Sequence, residues 1–379
     1  MRLPRLLAVA VGVCGLAAGV AAPPGPAAVS IPGRPAATGP AGSPAALFLP
    51  GRALALPGQA WAGVAVRPGV RHVGRAQASP PTTADCEKAY KVACYGPGQI
   101  RQAYHLPAVY ASGVTGRGTT IVIVDSFGSP TIRTDLRVFD QAFGLPAPPS
   151  LTIIQPAGKV PAYDPNSTDM VGWAGETTLD VEWAHVVAPG ARLLLVETPV
   201  PETEGTHGFP QIVTAEQYVL RHHLGDVISQ SFSATEQTFP SAASVQALRG
   251  AYQLAARDRV TVLAAAGDSG AADVKLDQAT YYPFAVTSWP DGDPLVTGVG
   301  GTQLHFGAHG RPALYRLAAQ GAPGIVDVTS GDNTVSYTQA GHWHTVRGFT
   351  AVRGYDLASG VGTVNAAAFV SELAAAAGR

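Results

Sequence analysis

The sequence predicts an α/β fold: a parallel sheet covered by helices on both faces. Three observations carry that prediction. Residues 119–125 (TTIVIVD), 191–196 (ARLLLV) and 260–266 (VTVLAAA) are continuous apolar runs of strand length, the pattern of strands buried on both sides. Segments with helical spacing of apolar residues lie between them. Strand and helix alternate along the chain, which favours parallel pairing with crossover helices.

The elements follow in order. Arg2 and Arg5 precede an apolar stretch, residues 6–20, and Val20-Ala21-Ala22 forms a small-residue cleavage pattern. This is the layout of an export signal over 1–22, too short for a membrane span. Residues 23–84 are rich in Pro, Ala and Gly and contain no Asp or Glu. Such a segment buries little and is expected to be a disordered linker. Acidic residues begin at Asp85, so a globular domain is expected over 85–379. Only 13% of the 379 residues are charged and the net charge is −1, which leaves no basic field for nucleic acid. Cys14 leaves with the signal. Cys86 and Cys94 form either a short disulfide loop, which export would permit, or two half-buried thiols.

Residues 132–143 read as a helix stopped by Gly144, and 172–187 as a second helix. A helix over 214–223, a strand over 227–231 and a long Ala-rich helix over 241–257 follow. A last helix runs from about 365 to 376, with Phe369, Val370 and Leu373 on one side.

Helix 172–187 carries Glu176 and Asp180 four residues apart, so both carboxyls project from one face. Like charges there are costly unless they share a proton, and a shared proton suits a base backed by an orienting acid. A solvated acidic face is the simpler alternative, but Trp173, Leu179, Val181 and Trp183 predict a mostly buried helix. Asp268 follows a buried strand within Ala264-Ala265-Ala266-Gly267-Asp268-Ser269-Gly270. The C-terminal ends of parallel strands are where α/β proteins keep their sites, although a turn-capping Asp fits equally well.

Taken in order, GETTLDVEWAHVVAPGARLLLVE, SQSFSATE, AAAGDSGA and VTGVGGTQL resemble the sedolisin family of serine-carboxyl peptidases. The entrance YGPGQIRQAYHL and the exit GYDLASGVGTVNAA match as well. The resemblance spans roughly residues 90–379. It implies a subtilisin-like fold and endopeptidase chemistry at acid pH. By motif it makes Glu176 the base, Asp180 the residue that orients it, and Asp268 the oxyanion stabiliser. A carboxylate base has an ordinary pKa near 4, and an oxyanion-binding Asp must be protonated to donate. A subtilisin triad is the competing reading. Asp125 stands on a suitable strand, but no HGTH-type segment follows, and His185 lies in a run with no known catalytic role.

The family's nucleophile stands in a Gly-Thr-Ser run that opens a helix, where free N–H groups favour the reaction centre. Here Gly-Thr occurs at Gly118, Gly205, Gly301 and Gly362, followed by Thr120, His207, Gln303 and Val364. None is serine. VGGTQLHF is joined to RPALYRLAA by only a few residues, so an internal stretch containing the serine helix is expected to be missing near 307–311. The fold would then lack part of its C-terminal half. Ser231 and Ser269 are the nearest substitutes, and neither is expected to open a helix.

The same resemblance implies one Ca²⁺ site at Asp327, Val328, Val352, Gly354 and Asp356. Carboxylates and tight-turn carbonyls are the hard oxygen donors that Ca²⁺ selects. Two turn aspartates without metal are the alternative, and Val352 stands where the family has Gly. The sequence therefore predicts a secreted monomer that meets polypeptide, with no nucleic acid partner and no stable membrane span. It is a sedolisin-type endopeptidase by resemblance, inactive for want of its serine. A non-catalytic peptide-binding remnant, an enzyme with another nucleophile, and the product of a rearranged gene remain alternatives.

Overall fold

The computed structural model describes residues 48–50, 70–72, 79–91, 93–302 and 324–377. The export signal, most of the expected linker and the junction near 307–311 lie outside these residues. Within the residues of the expected linker, β1 (Phe48–Pro50) and β2 (Val70–His72) pair antiparallel. The first helix, α1 (Thr83–Tyr90), also starts two residues before the expected boundary. Thr82 and Asp85 close a reciprocal capping box there.

Cys86 and Cys94 are joined as a disulfide, with Cα atoms 6.0 Å apart. Helices α2 (Pro97–Ala103) and α3 (Leu106–Ala111) then lead into β3 (Thr120–Ser126). The chain continues through α4 (Ile132–Phe143), β4 (Leu151–Ile154), α5 (Thr168–Val187), β5 (Arg192–Thr198), α6 (Phe209–Arg221) and β6 (Val227–Gln230). Next come β7 (Ala234–Thr235), α7 (Ala242–Leu248), α8 (Gly250–Asp258), β8 (Thr261–Ala265), β9 (Ser288–Trp289) and β10 (Thr297–Val299).

The main sheet has six parallel strands in the order β10-β8-β6-β3-β5-β4. Alternation along the strands separates two cores. Val122, Val124, Leu194, Val196, Ile228 and Val262 pack under α6 and α8, together with Phe209, Tyr252 and Trp289. Ile123, Leu193 and Leu195 face the other way, against Ile132 and Leu136 of α4 and Val181 and Ala184 of α5. Each large side chain so buried stabilises by about 1.5–3 kcal/mol.

Two expected helices begin earlier than their apolar pattern. Ser167 caps α5 by accepting from Met170 N–H at 3.3 Å, and α6 starts at Phe209 behind Gly208. The expected single helix over 241–257 is two helices, broken at Arg249. Its guanidinium grips Asp293 through two hydrogen bonds, at 2.5 and 3.0 Å. At the buried C-terminal end of α5, Arg101 donates to Val186 O and the Tyr110 hydroxyl donates to Val187 O, both at 2.7 Å. These long-range donors cap carbonyls that the helix leaves open.

The C-terminal part comprises β11 (Ile325–Val326), the hairpin β12 (Val335–Gln339) and β13 (His342–Val346), β14 (Thr363–Val364) and α9 (Ala366–Ala377). β11 pairs antiparallel with β14. Ala366 and Val370 of α9 pack on Leu106 and Val109 of α3, which returns the chain end to its entrance.

Candidate functional site

Four segments meet at the C-terminal edge of the sheet. β3 ends in Asp125 and Ser126. Ser231 follows directly on β6, whose Gln230 is registered with Val124 on one side and Ala264 on the other. β8 ends at Ala265, and Gly267 turns the chain with φ +84°, a conformation that costs glycine little. That turn presents Asp268 at the surface. The fourth segment is α5. Its Trp173 belongs to one core and its Val181 and Ala184 to the other, so the turn holding Glu176 and Asp180 passes between them.

Glu176 and Asp180 are buried, 8% and 2% exposed, and Asp125 is 0% exposed. Burial raises the pKa of Glu176 well above the ordinary carboxyl range, and the nearby Asp125 and Asp268 charges raise it further. Burial likewise raises Asp180, followed by Glu176 and Asp125. Asp125 is pushed up to about 7, chiefly by burial, with the Thr177 hydroxyl lowering it and Glu197 raising it. The Ser231 hydroxyl stands near both Glu176 and Asp180 and offsets part of their rise. Even so, neither carboxyl oxygen of Asp180 or of Asp125 reaches a hydrogen-bond partner. Carboxyls so enclosed hold protons.

The structure thus brings Glu176, Asp180 and Asp268 together, and adds Asp125 and Ser231. His185 lies elsewhere. Its Nε2 is 2.6 Å from Pro146 O and 3.4 Å from Asp140, on the side of α5 that meets α4. Of the serine-less Gly-Thr pairs, Thr120 opens β3 and Val364 lies in β14, so neither starts a helix. His207 is exposed just ahead of α6. Gln303 lies outside the described residues.

The C-terminal loops gather the five residues expected to bind cation. Gly354 N–H donates to Asp327 Oδ2 at 2.8 Å, and Val352 N–H donates to Asp356 Oδ2 at 3.0 Å. Asp356 Oδ1 accepts from Ala358 and Ser359 N–H at 2.8 and 2.7 Å. These backbone donors lower the pKa of Asp356. Ser359 Oγ lies 3.5 Å from Val328 O. Asp327 Oδ1 is buried and has no hydrogen-bond partner. An orphaned carboxylate oxygen beside an ionised Asp fits a hard cation. Among the described residues, no group of three or more His, Cys, Asp or Glu side chains is placed to hold a metal. The site would therefore need backbone carbonyls to complete its shell.

Reading by motif passed over three acidic residues beside Asp268. Glu202 and Glu204 are 0% and 3% exposed on the β5–α6 connection, and Asp273 lies five residues beyond Asp268. Asp125 was weighed only as a subtilisin triad member. Only Asp125 carried a signal, an acid at the end of an apolar run; Glu202 and Glu204 stand in the polar run PETEGTHG and Asp273 in a mixed loop.

No protein-family model matches the chain. Kumamolisin of Bacillus sp. (strain MN-32) is 32% identical over 211 residues, which is 55% of this chain and 34% of that protein. The chain thus spans about a third of the length of this curated relative. Pseudomonas sedolisin, a serine-carboxyl proteinase solved with two molecules of pseudo-iodotyrostatin, is similar with a TM-score of 0.53. That likeness covers 74% of this chain and 97% of the other at 18% identity, and it bears on the fold. The prenylagaramide maturation protease PagA, at 16% identity and TM-score 0.32, covers 64% of this chain and 74% of its own. It is too distant to carry an argument. The subtilisin-like parallel sheet with helices on both faces is the architecture observed. No helix among the described residues is long and apolar enough to cross a membrane.

Proposed function

We propose, from the premise that this chain is a relative of the sedolisin-type serine peptidases, that it carries the carboxyl half of a serine-carboxyl site and binds polypeptide without turning it over. One observation carries the reading: Glu176, Asp180 and Asp268 meet at the C-terminal edge of the sheet, and no Gly-Thr pair is followed by serine. In the roles proposed, Glu176 accepts a proton from a nucleophile, Asp180 shares a proton with Glu176 and fixes its orientation, and Asp268 donates to a developing oxyanion. Burial and like charge hold protons in this group, so its working range lies at acid pH. A base without a nucleophile forms no acyl-enzyme. Loss of either can cost about six orders of magnitude in turnover.

The reading extends to the rest of the chain. Arg2, Arg5 and the apolar residues after them export it, and it acts outside the cell as a monomer. The junction near 307–311 replaces the serine helix of its relatives. Asp327, Val328, Val352, Gly354 and Asp356 hold one Ca²⁺, which when bound neutralises two carboxylates and pins the loop after β11 to the loop before β14.

A second reading rests on Ser231, whose hydroxyl stands beside Glu176 and Asp180. There Ser231 is the nucleophile and the chain is a slow acid endopeptidase. Incubating the purified chain with a denatured protein at acid pH separates the two. The first reading expects no cleavage above that of Glu176→Ala. Cleavage that vanishes in both Glu176→Ala and Ser231→Ala establishes the second.

A further inference from the structure

The hairpin of β12 and β13 joins two places that are far apart in the chain. Its legs run on past the strands, and successive contacts hold them together. Val335 is registered with Val346 at the foot of the hairpin. Asn333 N–H donates to Phe349 O at 3.2 Å, and Phe349 N–H donates to Asn333 Oδ1 at 2.6 Å. Asp332 and Thr350 form an antiparallel bridge, and Ala351 N–H donates to Gly331 O at 2.9 Å. The next rung lies in the C-terminal loops, where Gly354 N–H donates to Asp327 Oδ2 at 2.8 Å. The legs form one ladder with Asp327 and Asp356 at its open end.

The hairpin end of the ladder lies against the chain that follows Asp268. Ala271 N–H donates to Asn333 O at 2.7 Å, and Val286 N–H donates to Ala271 O at 3.1 Å. Ala271 and Ala272 pack with Val346, beside Tyr281, Val335 and Tyr337. Tyr281 N–H donates to Gln339 Oε1 at 2.7 Å, and the Tyr337 hydroxyl donates to Tyr282 O at 3.2 Å. The approach is close. A methyl group added at Gly270 would stand 2.6 Å from Asn333 O, and one at Gly348 would collide with Asn333 Oδ1. Asn333 is therefore held from two sides, by the partner leg and by the turn after Asp268.

Charge at the open end gives the ladder something to respond to. Asp327 Oδ1 is buried without a hydrogen-bond partner, and backbone donors lower the pKa of Asp356. Carboxylates on opposite legs repel, and a cation held between them draws the legs together. Main-chain bonds then carry that constraint from Gly354 to Asn333 and on to Ala271.

We propose that the hairpin is a brace, and that Asn333 is the positioning residue through which a cation held at Asp327 and Asp356 orders the Gly267–Ala271 turn. The cation then fixes the shape of the turn that presents Asp268 as well as the loops that hold it. The proposal rests on the reading of the C-terminal loops as a cation site and adds what that site acts upon.

The test is NMR-detected amide exchange of the full chain, in calcium and in chelator. Gly354 N–H reports whether the loops take the cation, and Ala271 N–H reports whether the turn responds. Calcium is expected to slow both, with an effect of about tenfold at Ala271, inside the range usual for coupled sites. Amides of α4, which packs on the sheet through Ile132 and Leu136, should keep their rates. Asn333→Ala removes the Oδ1 acceptor and touches no expected ligand. It should cut the Ala271 effect to about twofold or less and leave the Gly354 effect in place. Slowing at Gly354 with none at Ala271 overturns the proposal in the wild type, with no variant having to fold. Equal slowing at Ala271 and in α4 overturns it too, because that is stabilisation of the whole fold. An Ala271 effect unchanged in Asn333→Ala overturns the role of Asn333. No slowing at Gly354 removes the cation reading and the brace with it. The exchange rates read this coupling whether or not the chain cleaves peptide, so its failure is distinct from failure of the peptidase reading.

Discussion

Two acidic regions of this chain use the same side chains to opposite ends. At the sheet edge, Asp125, Glu176 and Asp180 are buried with few donors, and their pKa values rise. In the C-terminal loops, Asp356 accepts three backbone N–H groups, and its pKa falls. The first region stores protons and the second stores negative charge. Two things separate them: desolvation leads the shift in the first region, whereas for Asp356, 7% exposed, it ranks behind two backbone donors. Weak desolvation together with donors suits a carboxyl to cation binding, and strong desolvation with few donors suits it to holding a proton.

The largest effect that follows is on stability. A carboxyl whose folded pKa lies above its unfolded value stabilises the fold fully below the unfolded pKa. That contribution is lost as pH rises through the folded pKa. Asp125 at about 7, Glu204 and Glu216 at about 8 and Glu182 at about 9 set the window from about pH 4 to pH 9. The melting temperature should fall by about 10 °C or more across it. A flat or rising profile breaks the contrast between the two regions.

A smaller effect isolates one member. Asp125→Asn removes a titrating group without changing its shape. Stability at pH 7 should rise by about 2–4 kcal/mol relative to the wild type, and the difference should vanish near pH 4. Denaturant unfolding at the two pH values measures it. Equal stability at both would mean that Asp125 reaches a donor in solution.

The smallest effect belongs to the loops. Calcium at well above its dissociation constant should raise the melting temperature by about 5 °C. Asp356→Ala should abolish that shift, while Glu176→Gln should leave it intact. No shift with calcium would leave the orphaned Asp327 Oδ1 unexplained.

The legible parts of the fold were those set by local periodicity. Helix α4 runs over the residues its spacing predicts, and β3 and β8 differ from their apolar runs by one residue at each end. The break at Arg249 falls just before Gly250, a helix-weakening residue that the Ala-rich pattern around it masks, and the Asp293 that holds Arg249 is 44 residues away. The capping serine of α5 lies five residues before its apolar pattern starts, where periodicity gives no mark of a helix. The candidate site divides along the same line. Glu176 and Asp180 share a face through spacing alone. Asp125 and Ser231 join them only because β3 and β6 are neighbours in the sheet, which no short motif states. Glu202 and Glu204 meet Asp273 only because the β5–α6 connection folds back against the chain after β8, and the polar run PETEGTHG gives no sign of that burial.

The central claim is that this chain holds a proton-handling carboxyl site with no nucleophile to serve it. Intact-mass spectrometry after acid quench, during incubation with an activated peptide ester near pH 4, tests it directly. The account predicts a chain of unchanged mass at every time point. A transient acyl adduct that maps to Ser231 and is absent from Glu176→Ala would contradict it.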